Sequence, residues 1–171
     1  TEALEAIEGW PVASLKFDQD LVRRMVAAGR KGDRARGEIL FESARAGCIA
    51  CHKIGNQGGM IGPELSAVGS GVPADRIVTE VLWPARQVKG GYALSRITMR
   101  DGRVLQGYLQ ESRDKKLLLL RDFAGAGMHE VEAEMVTKEE PIGSLMPPTA
   151  QSLSRDELSD LFAYLFSLIG K

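Results

Sequence analysis

Cysteine and histidine are scarce in this chain, with two of each among 171 residues. A framework of several disulfides, or a zinc site built from two cysteine pairs, is therefore excluded. Aromatic residues make up only 6% against 19 glycines, which points to many turns and a core that borrows bulk from elsewhere. Neither sign of charge prevails: 22 Lys and Arg stand against 23 Asp and Glu. The sequence thus lacks the basic footprint of a nucleic-acid binder and the polybasic anchor of a membrane-surface protein. No apolar run approaches the roughly 20 residues that span a bilayer; the longest candidates, Leu117 to Leu120 and Leu161 to Ile169, are far shorter. The chain begins at Thr1 with neither an initiator methionine nor a signal peptide, so a processed or excised piece is expected. What remains, 44% hydrophobic and 26% charged, is the composition of a chain that buries a real core. Its length suits one domain, or one small domain carrying an insertion.

The two cysteines stand together in Cys48-Ile49-Ala50-Cys51-His52. A disulfide across this spacing closes a very small loop and restrains little of the unfolded chain. A thioredoxin-type redox pair needs a βαβ context, whereas the flanks read as a helix and a glycine-rich loop. A zinc site lacks ligands, since His129 is the only other histidine. The fourth reading, and the usual meaning of Cys-x-x-Cys-His, is covalent haem attachment. Each thiol adds to one vinyl group, and the adjacent His52 lies under the iron.

A proximal histidine needs its second ring nitrogen held by an acceptor, which fixes its tautomer and orientation. The segment Ile61-Gly62-Pro63-Glu64-Leu65 follows the loop Gly55-Asn56-Gln57-Gly58-Gly59, and Pro63 is placed to offer a carbonyl next to a rigid ring. The plainer alternative is a simple chain turn from Gly58 to Pro63. An iron with one histidine then needs either a second axial ligand or an open face. Six methionines and His129 are the candidates. Met146, in Ser144-Leu145-Met146-Pro147-Pro148, sits in a loop stiffened by two prolines, so its thioether has little entropy to lose. Met25 falls in a helical segment and Met60 on the loop near the proximal side. Met99, Met128 and Met135 read as core or gap fillers, and His129, flanked by acidic residues, as a surface histidine.

Along the chain, residues 1 to 17 show no periodicity, with a break at Trp10-Pro11. Asp18 to Arg30 reads as a helix with Leu21, Val22, Met25 and Val26 on one face. Asp33 caps a second helix, with Gly37, Leu40, Phe41 and Ala44 on a stripe and Gly47 at its end. Pro73 opens a third, stopped by Pro84, with Ile77, Val78, Val81 and Leu82 apolar. From about Tyr92 the period changes. Leu94 to Met99 and Val104 to Gln110 read as a hairpin around Asp101-Gly102. Leu117 to Phe123, reached through Lys115-Lys116, and Met128 to Val136, after glycines 125 and 127, add two more strands. Ser154-Arg155-Asp156-Glu157 is a capping box for a last helix, whose Leu158, Leu161, Phe162, Leu165 and Ile169 recur at helical spacing.

Taken together, Cys48-x-x-Cys51-His52 after a helix, Gly62-Pro63-x-Leu65 behind it, and Met146-Pro147-Pro148 before a helix ending in Ala163-Tyr164-Leu165 resemble a mono-haem class I type cytochrome c. More narrowly, the chain resembles the bacterial haem-binding domain family found at the C-terminal end of large dehydrogenase-like proteins. Gly62-Pro63-Glu64-Leu65, Leu82-Trp83-Pro84, Gly91-Tyr92, Asp101-Gly102, Gly107 and Ser144-Leu145-Met146-Pro147 carry that match, over residues 32 to 170. The resemblance implies a mainly α, cytochrome c-like helical haem domain; the strand-like sequence from about 92 to 138 departs from an ordinary class I cytochrome and is expected to add a small antiparallel β insertion, a meander or small barrel, before the Met-ligand loop. The organisation expected is a lead-in with one helix over 1–31 and a cytochrome domain over 32–171, with the insertion at about 92–138. It further implies one haem c, held covalently by Cys48 and Cys51 with His52 and Met146 on the iron. First and last helices are expected to cross where Gly37 and Phe41 meet Tyr164. Trp83 and Tyr92 either line the haem or bind a propionate, or else are core aromatics. The function implied is one-electron transfer rather than enzymatic turnover. The partner would be a redox protein or a fused dehydrogenase module, and the site periplasmic or otherwise exported. The rival readings are a gas sensor or peroxidase-like domain with a displaceable methionine, and a scaffold whose β insertion docks a neighbouring module.

Overall fold

The computed structural model describes residues 15–111, 117–121 and 127–170. The Trp10-Pro11 break, Lys115-Lys116, Phe123 and Gly125 lie outside them. In chain order the described helices are α1 (Gln19–Gly29), α2 (Arg34–Glu42), α3 (Cys48–Cys51), α4 (Val68–Gly71), α5 (Ala74–Leu82) and, after five strands, α6 (Arg155–Ser167). Contacts divide the chain into two units, a helical one up to residue 86 and from 147 onward, and a β unit over 87–146.

In the helical unit, local chemistry sets where helices start. The Asp18 carboxylate accepts from the Asp20 N–H at 2.8 Å at the head of α1. Asp33 accepts from Ala35 and Arg36 N–H at 2.9 and 3.0 Å at the head of α2. Ser154 and Glu157 complete a reciprocal capping box on α6. Each satisfies orphan N–H donors of a first turn. Apolar residues at helical spacing then seal the core: Val22 and Met25 of α1, Val78 and Leu82 of α5, and Leu158 and Phe162 of α6 are fully buried. Ile169 departs from the expected stripe. It lies beyond the end of α6 and is 69% exposed.

The crossing of α2 and α6 depends on a missing side chain. A Cβ added to Gly37 would lie 2.0 Å from the Asp160 carbonyl oxygen and 2.8 Å from Tyr164 Cβ. Beside it the Phe41 and Tyr164 rings pack at 5.6 Å. Asp160, buried at the same crossing, accepts from the Asp33 N–H at 2.6 Å and Arg36 Nε at 2.7 Å. The Arg36 guanidinium, more than any other group, holds its carboxyl below the ordinary carboxylate range. The three residues expected at this crossing are thus brought together.

The β unit is a single antiparallel sheet of β1 (Leu94–Met99), β2 (Val104–Glu111), β3 (Leu117–Arg121), β4 (Met128–Glu132) and β5 (Val136–Gly143), in the order β4-β3-β2-β1-β5. Asp101-Gly102 turns the first hairpin with Gly102 at φ +84°, and Leu94 pairs with Tyr108. Ile97, Met99, Leu120 and Val131 form its small core.

This sheet corrects the mainly α expectation. Five paired strands in addition to the helices make the molecule a mixed α and β protein. The sheet is also open, with β4 and β5 at its edges, rather than a barrel. The segment expected as one strand from Met128 to Val136 is broken by a 3₁₀ turn at Ala133–Met135. The chain then returns as β5 alongside β1. Strand β5 carries no alternating signal in the sequence because an edge strand need not alternate: Thr137, Lys138 and Glu139 are exposed in succession, and Pro141 is tolerated there. Among the described residues no helix is long and apolar enough to cross a membrane.

Candidate functional site

Gly47, at φ +67°, turns the chain sharply into α3, a single helical turn from Cys48 to Cys51. Residues three apart on a helix share a face, so the two thiols stand one turn apart; both are free and half-buried. Burial pushes the Cys48 thiol up to about 11, with the neighbouring Cys51 adding to the rise. The helix ends on His52, whose backbone is extended and whose N–H donates to the Cys48 carbonyl at 2.9 Å.

The loop after His52 folds back over this turn. The Gly59 N–H donates to Ile49 O at 2.9 Å, Gly62 N–H to Cys51 O at 2.8 Å, and Leu65 N–H to Lys53 O at 2.8 Å. The Ile49 and Cys51 carbonyls, which a one-turn helix leaves orphaned, are thereby taken up. The approach is close enough to require glycine at Gly59, where a Cβ would meet the Ala50 carbonyl oxygen at 2.0 Å. The same fold-back brings Pro63 O to 2.8 Å from His52 Nδ1. A carbonyl only accepts, so Nδ1 carries the hydrogen and Nε2 is left with its lone pair. Burial lowers the His52 pKa and so disfavours the charged imidazolium, an effect partly offset by the bond to Pro63. His52 as a whole is 9% exposed.

Two free thiols on one helical turn and a neutral imidazole with Nε2 unprotonated fit the attachment groups of a c-type haem. Among the described residues no group of three or more His, Cys, Asp or Glu side chains could hold a metal ion on its own. Cys48, Cys51 and His52 therefore do not converge as a protein-only metal centre does.

Of the other candidates, Trp83 belongs to the helical unit. It is buried, its Nε1–H donates to Leu15 O at 2.8 Å, and its ring meets Phe17 edge-on at 5.2 Å. Tyr92 lies in the β unit, edge-on to Tyr108 at 5.7 Å. Met146 also falls in the β unit, half-buried, its N–H donating to Ser144 Oγ at 3.1 Å. Met25 is fully buried in the helical core and Met60 is 62% exposed. Met99 is buried in the sheet, Met135 is half-buried, and Met128, expected as a filler, is 49% exposed at the start of edge strand β4. His129 is exposed on the same strand.

Two contacts had no signal in the spacing. A Cβ at Gly62 would lie 2.6 Å from His52 Cε1, so this glycine faces the ring. Thr149, three residues after Met146, donates through Oγ1 to Ala46 O at 3.3 Å, two residues before Cys48. Both join positions far apart along the chain or backbone to side chain, where periodicity is blind. Compared with known proteins, the chain matches no family model, and no curated protein matches it at a significant level.

Proposed function

We propose that this chain is a one-electron carrier that holds a single c-type haem by thioethers from Cys48 and Cys51, with His52 and Met146 as axial ligands. The observation that carries the reading is the 2.8 Å bond from His52 Nδ1–H to the Pro63 carbonyl. It selects the tautomer that leaves a lone pair on Nε2 and raises the ring's basicity, as expected of a histidine that ligates iron. When bound, the haem supplies a one-electron couple at iron, and a thioether as second ligand favours the reduced state.

The protein's own contribution is to hold ligands still. Gly47 and the fold-back loop fix the turn that carries both thiols. Pro63 fixes the imidazole. The loop around Met146 is bounded by Gly143 at φ +110° and by Pro147-Pro148, and Thr149 ties the chain beyond it to Ala46. A ligand set that does not rearrange between oxidation states keeps electron transfer fast and leaves no open position for substrate. The partner is a redox protein or a dehydrogenase module, met outside the cytoplasm, where thioether attachment takes place.

The test is the mass and spectrum of the chain matured in a host that attaches haem. The mass should exceed that of the peptide by one haem, and the ferric protein should be low-spin with the weak charge-transfer band of methionine on iron. Met146→Ala should abolish that band while haem stays attached. A bare-peptide mass overturns the reading as a whole. A high-spin spectrum, or one that Met146→Ala leaves unchanged, overturns the axial pair and favours a sensor or peroxidase-like domain instead.

A further inference from the structure

The loop that supplies Pro63 also presses a backbone against the imidazole. A Cβ at Gly62 would stand 2.6 Å from His52 Cε1, 2.8 Å from Nδ1 and 3.1 Å from Nε2. These three atoms form the side of the ring that includes the nitrogen left for iron. Real Cβ atoms essentially never come within 3.0 Å of another heavy atom, so any side chain here forces something to move.

The backbone at Gly62 is held on both sides, and the bond between Pro63 O and His52 Nδ1 couples it to the ring. The Gly62 N–H is bonded to Cys51 O at 2.8 Å, the next residue's carbonyl is bonded to His52 Nδ1 at 2.8 Å, and Leu65 N–H holds Lys53 O at 2.8 Å. The loop is pinned before and after Gly62, whereas the imidazole turns about a single side-chain bond. Rotation about that bond has a broad, shallow profile.

From this we infer that Gly62 is a positioning residue: by lacking a side chain it sets the plane of the His52 ring, and through that plane the orientation and basicity of Nε2. The inference rests on the haem reading above. With a methyl group at Gly62 the ring turns away and its Nδ1–H leaves the line to Pro63 O. A histidine whose second nitrogen has lost its acceptor is a weaker donor to iron. The ferrous state is then favoured and the reduction potential rises.

The experiment compares the wild-type haem-loaded chain with Gly62→Ala and, as a control, Gly71→Ala, where an added Cβ meets nothing within 4 Å. Gly62→Ala should keep both thioethers by mass, shift the ferric EPR g-values and raise the reduction potential. Gly71→Ala should leave all three unchanged. General loosening of the fold does not by itself reorient the g-values, so that readout separates positioning from mere packing. In the wild-type ferrous protein a nuclear Overhauser contact between a Gly62 Hα and His52 Hε1 is also expected, and this does not depend on the variant folding. Haem attached with g-values and potential unchanged in Gly62→Ala, or no such contact in wild type, overturns the inference and leaves the haem reading standing. A wild-type chain without covalent haem overturns both.

Discussion

Substitution of Gly37 by alanine tests the helix crossing that frames the attachment site. In an isolated helix the change stabilises by about 1 kcal/mol, since alanine is the better helix former. Here the new Cβ would start 2.0 Å from the Asp160 carbonyl oxygen. To restore 3.0 Å, α2 and α6 must separate by about 1 Å at this point, because the obstacle is backbone and has no rotamer to change. Over-packing of this kind costs about 1–3 kcal/mol. The same displacement stretches the bonds from the Asp33 N–H and Arg36 Nε to Asp160, now 2.6 and 2.7 Å, and loosens the Phe41–Tyr164 contact. Weakening these charge-assisted bonds adds about 1–2 kcal/mol, so after the gain in propensity a net loss of about 2–3 kcal/mol is expected. With a urea slope of about 2 kcal/mol per molar, the unfolding midpoint falls by about 1–1.5 M. Urea titrations followed by far-ultraviolet circular dichroism read this directly. Gly71→Ala is the reference and should stay within about 0.5 kcal/mol of wild type. If Gly37→Ala unfolds at the wild-type urea concentration, close approach of the two backbones is not what requires glycine there.

The Asp160 carboxyl titrates below its ordinary 3.8 in the folded chain, chiefly because of Arg36. In the window below that value the unfolded chain takes up a proton that the folded chain refuses, so stability rises with pH there. The contribution is complete above about pH 4 and disappears as pH falls through the folded-state pKa. Asp160→Asn should lower the urea midpoint at pH 7 and flatten its decline under acid; an unchanged acid slope would refute the assignment. Trp83→Phe removes the Nε1–H bond to Leu15 O and should cost about 1 kcal/mol in a urea titration. It should leave the haem spectrum unaltered, since the indole N–H is already engaged; a spectral shift would favour the propionate reading of Trp83.

How much could be read beforehand varies with the range of the interaction. The starts of α1, α2 and α6 were legible because Asp18, Asp33 and Ser154 with Glu157 act within three residues of themselves. The Asp101-Gly102 hairpin was legible for the same reason, and so was the Cys48 to His52 motif, whose chemistry lies in adjacent residues. The break at Ala133–Met135 and strand β5 were not legible. The register of β5 is decided by β1, some forty residues earlier, and most of its side chains are exposed on an edge.

Sequence by itself determined that two thiols and an imidazole stand side by side, and that proline rigidity surrounds both Pro63 and Met146. Which ring nitrogen of His52 keeps its proton was decided only by the fold-back that carries Pro63 O to 2.8 Å. The need for glycine at 37, which the resemblance anticipated, and at 62, which the spacing did not signal, rests on what packs opposite, a carbonyl in one case and an imidazole in the other. The physical reason is common to all three. Composition and spacing specify what a residue can offer, whereas steric exclusion and hydrogen-bond pairing depend on a partner that only the folded chain brings near.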